Sequence, residues 1–173
     1  MTDTVDEFWL QQVSDYQGKN FKSVTQGDID LDSAEKGEDT DNEKTAKEDA
    51  QTQEALQPLL SALQKALSDH VGEVRPSKRL TDSPVCLIAP TDAPDMHMER
   101  VLKIQQNYTA MHKPILEINP KHALIEKLQK SDENTIKDNA QLLLDQALII
   151  QGEPLRNPAD FVKRMSALMA DML

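Results

Sequence analysis

The chain has 173 residues, 38% hydrophobic and 28% charged, enough for one modest domain or a small domain with a tail. A formal net charge of -11 argues against nucleic acid or an anionic membrane as a partner, because either would need positive surface. Aromatic residues make up only 3%, so the core must be built from Leu, Ile, Val, Ala and Met, and no apolar run approaches the ~20 residues needed to span a bilayer.

The N-terminus, Met1-Thr-Asp-Thr-Val-Asp-Glu, is acidic and carries no visible signal peptide. The single Cys86 excludes an internal disulfide and fits a reducing cytoplasm, so a cytoplasmic location is expected. Its neighbours Val85, Leu87 and Ile88 predict a buried strand thiol. Asp6 to Tyr16 reads as a short amphipathic helix with Phe8, Trp9, Val13 and Tyr16 apolar and Gly18 beyond its end. Phe21 to Val24 could form a brief strand, and residues 1–26 look too small to fold alone.

Residues 27–54 mark a break in composition. Eleven acidic residues face three lysines there, and large apolar residues cease after Leu31, so a weakly ordered acidic linker is expected, with some helix near Glu43 to Glu54. Asp28, Asp30 and Asp32 suggest a calcium loop. That loop needs Gly at its sixth position and Glu at its twelfth, where this chain has Ser33 and Asp39.

A third segment, residues 55–173, carries an α+β pattern: about three strands among about five helices. Ala55 to Val71 is a helix with Leu56, Leu59, Leu60, Leu63 and Leu67 on one stripe, Pro58 in its first turn and Gly72 at its end. Glu73 to Leu80 and Pro84 to Ala89 read as strands flanking a Thr81–Pro84 turn. A helix from Asp95 to about Tyr108 contains Met96, Met98, Val101, Leu102 and Ile104. Pro114 to Ile118 is a third strand, and Asn119-Pro120 reads as the start of a helix carrying Ala123, Leu124, Ile125 and Leu128.

The chain closes with two helical patterns. The first holds Ala140, Leu142, Leu143, Leu144, Ala147, Leu148, Ile149 and Ile150, apolar almost all round. The second starts on Asn157 as N-cap with Pro158 first, and places Phe161, Met165, Leu168, Met169 and Met172 on one face. Such a pair has more apolar surface than it can hide alone. Either it packs on its own domain, or a second copy covers it as a four-helix bundle.

Residues that carry chemistry are sparse. His70, His97, His112 and His122 are scattered without metal-ligand spacing, and there is no Gly-rich phosphate loop, Gly-x-Ser-x-Gly or Cys/His pair. A binding or assembly module is favoured over an enzyme, and no metal site is expected.

Four motifs carry a resemblance. They are Arg79-Leu-Thr-Asp-Ser-Pro84, Ile115-Leu-Glu-Ile-Asn-Pro-Lys-His122, Leu142-Leu-Leu-Asp-Gln-Ala147 and Asn157-Pro-Ala-Asp-Phe161 before a final Met/Leu helix. In order and spacing they resemble the C-terminal domain of the bacterial HtpG chaperones, the ninety-kilodalton heat-shock family. Asp6-Glu-Phe-Trp, Asp15-Tyr-Gln-Gly-Lys19 and Phe21-Lys-Ser-Val24 resemble the end of that family's middle domain.

The resemblance implies a homodimer in which the terminal helix pairs form an intermolecular four-helix bundle. Leu142, Leu143, Leu144, Ala147, Leu148, Phe161, Met165, Leu168, Met169 and Met172 would line the interface. It implies an ATP-dependent chaperone whose ATP and Mg bind in an N-terminal domain that matches nothing here. The chain would then be a piece of a longer protein, without cofactor or ATPase activity of its own. It implies contact with partly unfolded clients through the Asp95 helix (Met96, Met98, Val101, Leu102) and through an aromatic patch to which Phe8, Trp9 and Gln11 align. The family's first methionine on that helix falls near Pro94 or Met96. The end Ala170-Asp-Met-Leu173 lacks the acidic tail that recruits tetratricopeptide co-chaperones, so that partnership is not implied. The alternative is a purely structural dimeriser with client binding elsewhere.

Overall fold

The computed structural model describes residues 13, 15–20, 42–93, 96, 99 and 112–172. The chain divides into two compact units, Met1–Asp30 with Ile88–His112 and Leu31–Leu87 with Lys113–Leu173.

In the first unit, β1 (Asp15–Tyr16) pairs antiparallel with β2 (Lys19–Asn20), Tyr16 opposite Lys19. The two-residue turn between them has Gln17 at φ 52° and Gly18 at φ 75°. Positive φ at both positions gives a hairpin turn whose twist matches the strands. The helix expected to run through Tyr16 is therefore corrected at its end: Gly18 serves a hairpin, not a helix terminus. The rest of that helix lies outside the described residues apart from Val13, as does the Phe21 to Val24 strand.

The second unit holds four described helices and a three-stranded sheet. Helix α1 (Asn42–Ala66) begins well before Ala55, inside the acidic stretch. Pro58 is thus interior rather than in the first turn. An interior proline costs ~3 kcal/mol, but four buried leucines of this helix, Leu56, Leu59, Leu60 and Leu63, stabilise it by about 1.5–3 kcal/mol each. Pro58 and Glu54, whose carbonyl loses its intrahelical donor, both lie on the exposed side.

The chain then turns into β3 (Glu73–Pro76), where Gly72 N–H donates to the Pro114 carbonyl at 2.9 Å. A Cβ on Gly72 would lie 3.2 Å from the Lys113 carbonyl oxygen, so this close approach calls for glycine. Strand β3 stops four residues short of the expected Leu80. The Ser77 hydroxyl accepts from Arg79 N–H and Leu80 N–H, both at 3.3 Å, and folds residues 77–80 into a turn.

β4 (Val85–Ile88) and β5 (Ile115–Ile118) complete the sheet in the order β3-β5-β4. β3 and β5 are parallel, with Arg75 opposite Glu117. The central strand β5 is buried throughout, Leu116 and Ile118 on one face, Ile115 and Glu117 on the other.

Helix α2 (Ala123–Gln129) is capped by His122, whose Nδ1 accepts from Leu124 N–H at 3.1 Å. The expected Asn-Pro start is corrected here: Asn119 Oδ1 accepts from Lys121 N–H at 3.1 Å and makes a turn, and the helix itself begins after His122. Helix α3 (Glu133–Ile150) starts on Asp132. That carboxylate accepts from Thr135 N–H (3.0 Å), the Thr135 hydroxyl (2.9 Å) and Asn134 N–H (2.9 Å), and these bonds hold its pKa below the ordinary value. Helix α4 (Pro158–Met172) has the expected cap, Asn157 Oδ1 accepting from Asp160 N–H at 3.2 Å. The core gathers α1, the sheet, α2 and α3, including Leu143, Leu144 and Ala147. The Asp95 helix falls outside the described residues except for Met96 and Glu99, both helical and half-buried.

Candidate functional site

The four sequence motifs close on one another in two pairs. In the first pair, Glu117 of β5 reaches into the Arg79–Pro84 loop. Its Oε1 accepts from Arg75 Nη2 (3.0 Å) and Nε (3.2 Å), and its Oε2 from Arg79 Nε (2.8 Å) and the Ser77 hydroxyl (3.0 Å). Burial would push this carboxylate up. The hydrogen bonds and charge of Arg79, with bonds from Arg75 and Ser77, outweigh burial and hold it below its ordinary value. Burial likewise opposes the charge on Arg79, and Glu117 more than offsets it, so the guanidinium is held above its ordinary value.

Two residues on, Asn119 Nδ2 donates to the carbonyls of Thr81 (3.0 Å) and Ser83 (3.3 Å), and Asn119 N–H to that of Pro84 (2.8 Å). One strand motif thus fixes one loop motif. Cys86 lies beside this node, 3.6 Å from Arg79 Nη2 and 3.9 Å from Glu117 Oε2. It is buried and unoxidised, and burial first, then Glu117, pushes the thiol up despite Arg79, so it stays protonated.

The second pair joins α3 to α4. Asp145, 2% exposed in an apolar helix, accepts from Gln141 Nε2 at 3.3 Å and faces Arg164 Nη1 of α4 at 3.8 Å. Two further bonds anchor this end of the chain. Gln151 Nε2 donates to the Leu87 carbonyl at 2.7 Å, and Arg156 Nη1 lies 2.6 Å from His70 Nδ1.

The expected interface residues divide by helix. Leu142, Leu143, Leu144, Ala147 and Leu148 are buried within the chain itself. Phe161 and Met165 are half-buried, whereas Leu168 and Met169 are 40% and 59% exposed. The side chain of Met172 lies outside the described residues. Val162, 59% exposed, and Ile149 and Ile150 at the end of α3, 49% and 53% exposed, add to this bare surface. Val162 belongs to the same flank of α4 as Met169, one heptad earlier. That spacing was readable in the sequence, though the chosen face began at Phe161. Of the expected client-contact residues, Met96 is half-buried, while Phe8, Trp9, Gln11, Met98, Val101 and Leu102 lie outside the described residues.

Among the described residues no group of three or more His, Cys, Asp or Glu side chains is placed to hold a metal ion, and no helix is long and apolar enough to cross a membrane. Among the described residues the arrangement is one of structural nodes and an uncovered apolar helix face.

Comparison with known proteins agrees with the motif pattern. The Hsp90 protein family matches residues 1–173, and the chain belongs to that family. It is similar to the chaperone protein HtpG of Roseobacter denitrificans, with 44% identity over 180 residues covering 100% of this chain and 28% of that protein. The chaperone protein HtpG of Burkholderia lata is 46% identical over 170 residues, covering 98% and 26% respectively. That of Methylococcus capsulatus is 40% identical over 174 residues, covering 100% and 26%. The chain spans about a quarter of the length of these curated relatives.

Proposed function

We propose that this chain is the dimerisation and client-contact segment of an ATP-dependent molecular chaperone that assists protein folding under stress in the cytoplasm. The observation that carries the dimer is the bare flank of α4. Val162, Leu168 and Met169 are left in solvent by a chain that buries Leu142, Leu143, Leu144, Ala147 and Leu148 of α3, and Ile149 and Ile150 at the end of α3 are exposed beside them. Soluble proteins rarely leave such a row uncovered unless something binds it. A second copy would place the same row against its own image across a two-fold axis, each α4 meeting the other beside the ends of both α3 helices. Leu142 to Leu148 support the bundle from inside each protomer.

Client contact rests on the Asp95 stretch with Met96, Met98, Val101 and Leu102, joined by Phe8, Trp9 and Gln11. Methionine is flexible and polarisable, which suits a surface that accepts many partners. Two copies of such a surface in one dimer give avidity without high affinity per site. ATP and Mg belong to the longer protein's N-terminal domain, and this segment neither binds a cofactor nor turns over substrate. The second reading, a dimeriser alone, is separated by replacing Met98, Val101 and Leu102 together with Ser. A client-contact surface loses its ability to suppress aggregation of an unfolded model protein while the dimer persists. If the variant unfolds, these residues are core and the segment only joins two chaperone arms.

A further inference from the structure

The face that α4 offers depends on how the helix is turned about its own axis. Along α4, Phe161, Met165 and Leu168 form the middle of the apolar stripe, Val162 and Met169 one edge, and Arg164 the opposite edge. The middle of the stripe is half-buried at Phe161 and Met165, and the Val162–Met169 edge is bare. At the Arg164 edge stands Asp145 of α3, with its side chain 3% exposed and 3.8 Å from the guanidinium. Among the described residues Arg164 is the cation that meets this carboxylate, and Gln141 supplies its hydrogen bond. A carboxylate removed from water needs a compensating charge close by, so α4 is held with its Arg164 edge against α3.

We propose that the Asp145–Arg164 pair is a latch that positions α4 for self-association. By closing one edge of the helix onto its own α3, it turns the other edge, Val162 and Met169, outward for the second copy. Arg164 is then a positioning residue of the interface rather than a contact in it. This inference rests on the dimer reading above, and adds the residue pair that sets the geometry of the contact.

The latch is tested on the whole chain by measuring the monomer–dimer dissociation constant by sedimentation, with far-ultraviolet dichroism as a check of folding. Arg164→Gln removes the latch and leaves Asp145 unpaired. Arg164→Lys keeps the charge and restores it. Asp145→Asn with Arg164→Gln removes both charges, so no buried ion is left to unfold the protein. Coupled side chains of this kind change affinity by about tenfold or more. The latch predicts that Arg164→Gln and the double variant both dissociate about tenfold more readily than the parent, with Arg164→Lys close to the parent. A role limited to neutralising Asp145 would instead let the double variant dimerise like the parent, and that result overturns the latch. Leu168→Glu separates the two levels. If it abolishes the dimer while the double variant leaves affinity unchanged, the interface stands and the latch falls. If Leu168→Glu dimerises as tightly as the parent, the interface reading fails and the latch with it.

Discussion

Changing Glu117 to Gln should unfasten the node that joins the β5 strand to the Arg79–Pro84 loop. The carboxylate is 6% exposed and receives four hydrogen bonds from Arg75, Arg79 and Ser77. Glutamine keeps the size but removes the negative charge and sets a donor against two part-buried guanidinium groups. Removing one partner of a buried ion pair costs about 3–5 kcal/mol. Arg75 and Arg79 keep 27% and 22% of their side-chain surface in water, which puts the expected cost at the lower end, about 3 kcal/mol. For a chain of this length that lowers Tm by roughly 6–12 °C. Thermal unfolding followed by circular dichroism, at fixed protein concentration because association would make Tm depend on it, reads this directly.

The same pair predicts a pH signature. The folded Glu117 pKa lies below the ordinary glutamate value of 4.5, so its stabilising contribution is complete above that value. It is lost as pH falls through the lower folded pKa. The parent should therefore lose stability relative to Glu117→Gln below about pH 4.5, and the gap between them should shrink in acid. A variant with the parent's Tm at neutral pH, or a gap that stays constant into acid, refutes the assignment of Glu117 as an ionised anchor.

Asn119→Ala leaves the Thr81 and Ser83 carbonyls without their donor and should cost about 1–3 kcal/mol in urea unfolding, with hydrogen exchange rising first in the Thr81–Pro84 loop. Gly72→Ala presses a methyl to 3.2 Å from the Lys113 carbonyl oxygen, next to the Pro114 carbonyl that accepts from Gly72 N–H, and should cost about 1 kcal/mol in urea unfolding. Replacing Met98, Val101 and Leu102 together with Ser should leave the solution mass unchanged and reduce suppression of aggregation of an unfolded model protein.

The leucine stripe of α1 and the Asn157 cap of α4 were legible because a period and a cap are local facts. The start of α1 was legible in part: some helix is expected near Glu43 to Glu54, but not its unbroken run through Pro58. Pro58 looks like a helix start, and only the burial of leucines on both sides of it shows why an interior proline is tolerated. Asn119 followed by a proline carries the same local signal as Asn157. Its Oδ1 instead closes a turn on Lys121 N–H while its Nδ2 reaches 38 residues back to Thr81, and His122 caps the helix. The hairpin at Gln17 and Gly18 has no Asn-Gly signal, so its positive φ values left little trace in the sequence. The residues expected at an interface are legible as apolar, but sequence could not divide them. The division between buried Leu142 to Leu148 and bare Leu168 and Met169 depends on how α3 packs against α1. Glu117 and Asp145 were single charges inside apolar runs, and that was the signal available for both nodes.

The central claim is that the bare flank of α4 is an interface between two copies. The exposed 40% of Leu168 and 59% of Met169 leave about 1.5–3 kcal/mol of apolar burial per copy, or about 3–6 kcal/mol per symmetric dimer. Losing it weakens association by roughly a hundredfold to ten-thousandfold, before the cost of burying like charges near the axis. Light scattering at low micromolar concentration measures this directly. The parent chain should give twice its 19.4 kDa protomer mass, and the Leu168→Glu, Met169→Glu double variant should give the protomer mass with its helix content intact. A parent that is monomeric, or a double variant that still dimerises, would contradict it.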